Sequence, residues 1–399
     1  MPTLSLSPPP KKKLLKLRKR VKVEMETCLD FISRLDYDAS MRILMCLDDP
    51  SDLVHVSCVS HSWRHFVITN GLFKQLCMRM FPSLHNVEHV AEPNCTKNSL
   101  EIGCSNSAER ETLAREHRVY AFLAHGCTSF AVRECISDSI IASSTDNYPE
   151  ETIHNTLEPR DRVAIHNTLE PRDRVARRAS YWSSKGQSNP VVPETLTYKL
   201  VADICIITEI SVRPFQAFFQ YGNPIYSAKS MRFRMGHLKA PMDDSMVEPC
   251  DNFADENFIW TYISPKFAMA QENRLQSFKL PEPVLCIGGI LQVELLGRVQ
   301  KQEMDGLFYI CISHVRAMGR PLSPAFGVEI LEPSGKFVLK AQSYEQPKVG
   351  ENGSCESPDA NMEERVRDLE QIVNLLRGQG VIVEYEWNED DESGDEMAL

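Results

Sequence analysis

Three aromatic residues in the middle of the chain, Trp182, Tyr221 and Trp260, are of the type that can lie flat beneath a sugar ring. An exposed ring beside acids or amides offers an apolar face with hydrogen-bond acceptors at its edge, so it holds a polar ligand without reacting with it. Such residues are also common in cores, so the three define a possible ligand platform and equally a possible packing cluster. Groups that could react are not arranged to do so. The chain contains no G-x-S-x-G, no H-E-x-x-H, no Walker A Gly-Lys-Ser/Thr and no G-x-G-x-x-G after a strand. His154, His166 and His314 stand without a metal or nucleophile partner at readable spacing and are read as structural or exposed. Thirteen cysteines are scattered from Cys28 to Cys355 without a C-x-x-C pair, which argues for free thiols in a reducing compartment and against a zinc site. Arg177-Arg178-Ala179-Ser180 has the form of a basophilic kinase site, a string that is also frequent by chance. The expectation is a non-catalytic protein with no cofactor and no metal.

At 399 residues and 42% hydrophobic, the chain is long enough for two folded domains with tails. Its longest apolar run, Val284 to Leu296, is broken by Gly288, Gly289, Gln292 and Glu294, so no membrane span is expected. The N-terminus lacks the apolar core of a secretory signal, which places the protein in the nucleus, the cytoplasm or both. Eight of the twelve residues from Lys11 to Lys22 are basic, and Glu384 to Leu399 holds eight carboxylates. The ends cancel, the body carries the net charge of −11, and a nucleic-acid partner is not expected. The basic run reads as a nuclear localisation signal or as a solvated arm.

The helical signals cluster early. Asp38 is placed to cap a short helix carrying Met41, Ile43, Leu44 and Leu47. Asp49-Pro50-Ser51-Asp52 starts a second helix, whose Leu53, Val56, Val59, Trp63 and Phe66 recur at steps of three and four. A third follows Asn70-Gly71 with Phe73, Leu76, Cys77 and Met80, and Pro82 ends it. Glu92 to Asn106 reads as a loop, and Glu109 to Ala124 as a further helix. From about Arg133 the period becomes extended. Ile204 to Val212, closed by Pro214, Met231 to Met235, Phe258 to Ile263, Ile290 to Leu296, Phe308 to Val315 and Phe326 to Ile330 read as strands. Strands in a row without helical crossovers predict an antiparallel sandwich. The dodecamer IHNTLEPRDRVA at Ile153 to Ala164 recurs at once as Ile165 to Ala176, the pattern of a duplication within a surface loop. Met362 to Arg377 reads as a helix and Val381 to Tyr385 as a last strand before an acidic tail.

The segment from Leu35 to Leu76 resembles the F-box family. Leu35, Ile43-Leu44, Leu47, Leu53 and the cluster Val59-Ser60-His61-Ser62-Trp63-Arg64 fall in that family's register without a gap. Asp36, Asp38, Ala39 and His61 depart from its usual residues. The resemblance implies a three-helix module that docks on a Skp-type adaptor and, through it, on cullin and RING subunits. It implies adaptor contacts at Leu35, Ile43, Leu44, Leu47, Pro50, Leu53, Val56 and Val59, with Trp63, Phe66, Phe73 and Leu76 as structural core. Three short helices carry more large apolar residues than they can hide, which independently calls for a partner. Glu134 to Leu331 is similar to a galactose-binding-like jelly roll of the discoidin type. That likeness rests on Ile141-Ala142-Ser143-Ser144, Tyr181-Trp182-Ser183-Ser184, Leu196-Thr197-Tyr198-Lys199-Leu200 and Ile290 to Gly297. The two together resemble plant F-box proteins with such a C-terminal domain.

The expected organisation is therefore multidomain α + β. A disordered basic arm (1–27) precedes the F-box domain (28–82) and a linker with a helix (83–133). The antiparallel β-sandwich follows (134–346), then a linker (347–361), a helix and terminal strand (362–386) and a disordered acidic tail (387–399). The implied function is the substrate-recognition subunit of an SCF ubiquitin ligase, holding a protein substrate that can be glycosylated. The alternative is a carbohydrate- or ligand-binding module acting without ubiquitin ligation.

Overall fold

The computed structural model describes residues 34–93, 105–158, 180–239, 257–331 and 334–344. The basic arm, most of the duplicated dodecamers, the 362–386 helix and strand, and the acidic tail lie outside the described residues.

Helix α1 spans Tyr37–Met45, and its cap is Asp36, whose carboxylate accepts from the Ala39 amide at 2.6 Å. The expected cap, Asp38, lies inside the first turn, where its charge faces the positive end of the helix. Helix α2, Pro50–Val59, starts as its sequence predicts, with the Asp49 carboxylate accepting from the Ser51 amide at 2.8 Å. The expected continuation of this helix to Phe66 does not occur. Ser60 is fully extended (φ −157°, ψ 167°), and its hydroxyl accepts from the Trp63 amide at 3.2 Å to cap a new helix, α3, His61–Thr69. A serine side chain offers the backbone this alternative to helical bonding, so the apolar stripe is cut at that point. Gly71, at φ +56°, makes the left-handed turn into α4, Leu72–Met80, which ends at extended Phe81 ahead of Pro82. The expected three-helix module is thus four short helices, followed by the long α5, Ser105–Ser129.

Two antiparallel sheets form the sandwich. The first contains β2 (Ile136–Ala142), β3 (Glu194–Leu200), β5 (Ala228–Leu238), β6 (Phe258–Ile263) and β8 (Ile290–Arg298). Its order is β2-β3-β8-β5, with β6 also paired to β5. The second is built on β7 (Gln276–Ile287), β4 (Ile204–Gln216) and β9 (Cys311–Pro321). Strand β4 does not close at Pro214 as expected. It runs on to Gln216, with the pairing to β9 shifting register beside the proline, which cannot donate to the ladder. The single strand expected from Phe308 to Val315 is divided: Phe308–Tyr309 pairs with Gln300–Lys301 in a small hairpin, and β9 begins at Cys311.

A third sheet joins the two parts of the chain. Strand β1 (Val87–Ala91) runs parallel to β11 (Lys336–Ala341), which pairs antiparallel with β10 (Phe326–Leu331). The described residues of the 83–133 segment, expected as a linker, are therefore built into both neighbours. Phe122 of α5 stacks on Phe326 at 5.1 Å, and Arg320 of β9 donates to the Phe130 carbonyl at 2.9 Å. The start of β4 shows why the joint is tight. Cys205 and Ile207 face the sandwich core, while Ile204 and Ile206 belong to the cluster that holds Leu44, Leu53, Leu76, Tyr120 and Phe337. Both faces of the strand are buried, and a continuous apolar run is the sequence such a strand requires.

Candidate functional site

The helical module presents one candidate surface. Of the residues implied for adaptor contact, Leu44, Pro50 and Leu53 lie in the chain's own core, Leu53 at 1% exposure. Leu35, Leu47 and Val56 are half-buried. Ile43 and Val59 are exposed at 45% and 61%, and Val54 joins them at 48%. Of the residues implied as structural, Phe73 and Leu76 are buried, whereas Trp63 and Phe66 are only half-buried. The break at Ser60 accounts for Trp63 and Phe66, because it turns them off the face that a helix continuous with Leu53 would give them. Val54 was missed because it stands off the counted stripe.

The exposed residues are held on a braced frame. Arg79 of α4 donates to the Met45 carbonyl and, at 2.8 Å, to the Leu47 carbonyl, and it lies 3.3 Å from the Asp48 carboxylate. These contacts satisfy the open end of α1 and pin the turn into α2. Tyr37 packs on Phe66, with ring centroids 5.8 Å apart, and donates to Asn70 Oδ1 at 2.6 Å.

The second candidate is the loop end of the sandwich, and the structure separates the three expected platform residues. Trp182 is fully buried, and its indole N–H donates to the Ser144 carbonyl at 3.0 Å. Trp260 is half-buried and stacks on Phe258 at 5.2 Å. Tyr221 is 94% exposed. Trp260 stands opposite Gly236 near the end of β5, whereas Tyr221 lies in the connection that precedes Ala228 at its start. Eight residues of strand at about 3.3 Å each put roughly 26 Å between those positions, too far for one platform.

Beneath these loops lies a buried ion pair with no counterpart in the motif reading. Arg298 and Glu194 are 0% and 3% exposed at their side chains. The Arg298 guanidinium also donates to Ser184 Oγ at 2.8 Å, the Lys185 carbonyl at 2.9 Å and the Phe308 carbonyl at 3.0 Å. Glu194 in turn accepts from the hydroxyls of Ser143 and, at 2.8 Å, Ser144. The serines that carried the sandwich resemblance thus satisfy this pair. A buried pair is tolerable when its remaining donors and acceptors are bonded in this way.

Burial pushes the Cys127, Cys286 and Cys311 thiols up to about 12, so these three stay protonated. Among the described residues no three His, Cys, Asp or Glu side chains form a metal-holding group. His314 is structural, its Nδ1–H bonded to the Thr156 carbonyl at 2.8 Å.

The fold defines a two-part protein, a short helical module joined to a β-sandwich. The F-box-like family model matches residues 37–79. An F-box protein of Arabidopsis thaliana is 50% identical over 383 residues, covering 93% of this chain and 98% of that protein. The chain belongs to the F-box protein family. Among solved structures, the family 32 carbohydrate-binding module of C. perfringens NanJ, in complex with galactose, is 12% identical over 47% of this chain and 99% of that chain, with a TM-score of 0.27. A chain of the Streptococcus pneumoniae β-galactosidase BgaA is 16% identical over 46% and 97%, with a TM-score of 0.29.

Proposed function

We propose that this protein is the substrate receptor of an SCF-type ubiquitin ligase. Its F-box module docks on a Skp-type adaptor, and its sandwich holds a protein substrate near the ubiquitin-loaded enzyme brought by the cullin and RING subunits. The observation that carries the reading is that large apolar side chains, Ile43, Val54 and Val59, stay exposed on α1 and α2 within the matched F-box segment. Catalysis is then by proximity, so the chain needs no reactive group. The continuous core between the helices and the sandwich supports the same role, because it holds the docking module and the substrate domain in one orientation.

Co-precipitation of a Skp-type adaptor and a cullin with the full chain tests this. Capture by the wild-type chain, lost in Ile43→Ala/Val54→Ala with an unchanged melting temperature, is the expected result. Absence of adaptor under conditions where an authentic F-box protein captures it ends the proposal. The Lys11 to Lys22 run is proposed as a nuclear localisation signal. Neutral replacements at Lys11, Lys12, Lys13, Arg18, Lys19 and Arg20 are expected to deplete the nuclear fraction, and an unchanged distribution makes the run a solvated arm.

A further inference from the structure

The loop end of the sandwich carries an aromatic surface that neither core requires. In the connection from β4 to β5, Phe218, Phe219 and Tyr221 are exposed at 51%, 70% and 94%. Hydrogen bonds close the backbone of this connection. The Ala217 amide donates to the Pro224 carbonyl at 2.9 Å, the Gln220 amide to the Ala217 carbonyl at 3.1 Å, and the Asn223 amide to the Gln220 carbonyl at 3.1 Å. Tyr226 Oη donates to Gln220 Oε1 at 2.6 Å. A backbone closed in this way has less conformational freedom to lose on contact, as in aromatic loops that bind proteins.

Nearby carboxylates point to the occupant. Glu151 and Asp146 lie close enough to act on Tyr181, and Asp305 and Glu303 on Tyr226, with Lys185 beside Asp146. Tyr181 joins this rim to the aromatic connection, stacking on Phe215 at 3.8 Å and donating to Glu151 Oε1 at 2.8 Å. Tyr309 lies 6.4 Å from Tyr226 and donates to Asp305 Oδ2 at 2.5 Å. Partial burial and then the charge of Asp305 raise the Asp146 carboxyl above its usual range, with Lys185 opposing them. Exposed ring faces beside carboxylates suit arginine or lysine, whose cationic heads lie on the rings while pairing with the acids.

We infer that the Phe218–Tyr221 connection and its acidic rim form the substrate-docking surface of the sandwich, and that they take a basic, arginine- or lysine-bearing segment of a protein. This rests on the sandwich being the substrate domain of the proposed receptor. The test is fluorescence anisotropy on the full chain with three labelled probes: an alternating Arg-Ser dodecapeptide, its Glu-Ser counterpart and a galactose-terminated oligosaccharide. The Arg-Ser peptide is expected to bind, more weakly as ionic strength rises. Asp146→Asn/Asp305→Asn and, separately, Phe219→Ser/Tyr221→Ser are expected to weaken it about tenfold or more, as loss of central contacts does. Tyr221→Ser alone removes a side chain that supports no fold contact, so its effect is read even where a double variant fails to fold. No Arg-Ser binding, equal Glu-Ser binding, binding unchanged in all variants, or capture of the oligosaccharide instead overturns the inference. So does an approximately tenfold gain on deleting Ile165 to Ala176, which would give the rim to the chain's own arginines. Adaptor co-precipitation is scored in parallel, so that its loss counts against the receptor reading and peptide failure with adaptor retained counts against this surface alone.

Discussion

Leu53 and Ile43 stand ten residues apart in an apolar series that treats them alike, yet their environments are opposite. Leu53 is sealed in the core, and Leu53→Ala is expected to cost about 2 to 5 kcal/mol of stability through lost burial and a residual cavity. Urea titration of the two single variants checks this: Ile43→Ala keeps its midpoint and Leu53→Ala loses much of it. Glu194 offers a second contrast at the same scale. Glu194→Gln leaves the Arg298 guanidinium buried without its counter-ion, and a loss of about 3 to 5 kcal/mol is expected. An unchanged melting temperature in Glu194→Gln would mean that the carbonyls and Ser184 around Arg298 suffice to hold its charge.

At the scale of elements, the α2–α3 break is a property of one side chain acting on a marginal helix. Ser60→Ala removes the hydroxyl that receives the Trp63 amide, and a loss of roughly 1 kcal/mol is expected from the missing cap. Because the break also sets how Val59 and Trp63 are exposed, the same variant is expected to weaken adaptor capture more than its stability loss alone explains. Adaptor affinity measured well below the melting temperature separates the two effects. If affinity is unchanged while stability falls, the break matters to the fold and not to docking.

At the scale of the whole molecule, the helices and the sandwich share one apolar cluster. A fragment beginning at Glu134 leaves Ile204, Ile206, Leu285, Ile287 and Phe326 without the helical residues of that cluster. It is expected to aggregate or melt well below the full chain, as light scattering during a thermal scan would show. A second tie is Glu92, after β1. It accepts from Arg118 Nε and Nη2 at 2.9 and 2.8 Å and from Tyr344. Those bonds, the Arg118 pairing first, hold its carboxyl below the usual value of 4.5. The folded pKa lies below the unfolded one, so this contribution is fully present above about pH 4.5 and is lost as pH falls through the folded value. Acid unfolding of Glu92→Gln is expected to be flatter in that window than that of the wild type.

Local chemistry was legible in the chain alone. Asp49-Pro50 started a helix where it stood, β-branched runs became strands, and the absence of crossovers implied antiparallel sheets. These outcomes depend on side chains acting on their own few residues of backbone. Which apolar face meets which neighbour was not legible. Ile204 and Cys205 are adjacent and equally apolar, yet they serve different cores, because the surroundings of a strand depend on elements more than a hundred residues away. Trp182, Tyr221 and Trp260 looked equivalent for the same reason. Composition marks all three as able to stack on a ligand. Only the packing, which buries the first and sets the other two near opposite ends of β5, shows that they share no site.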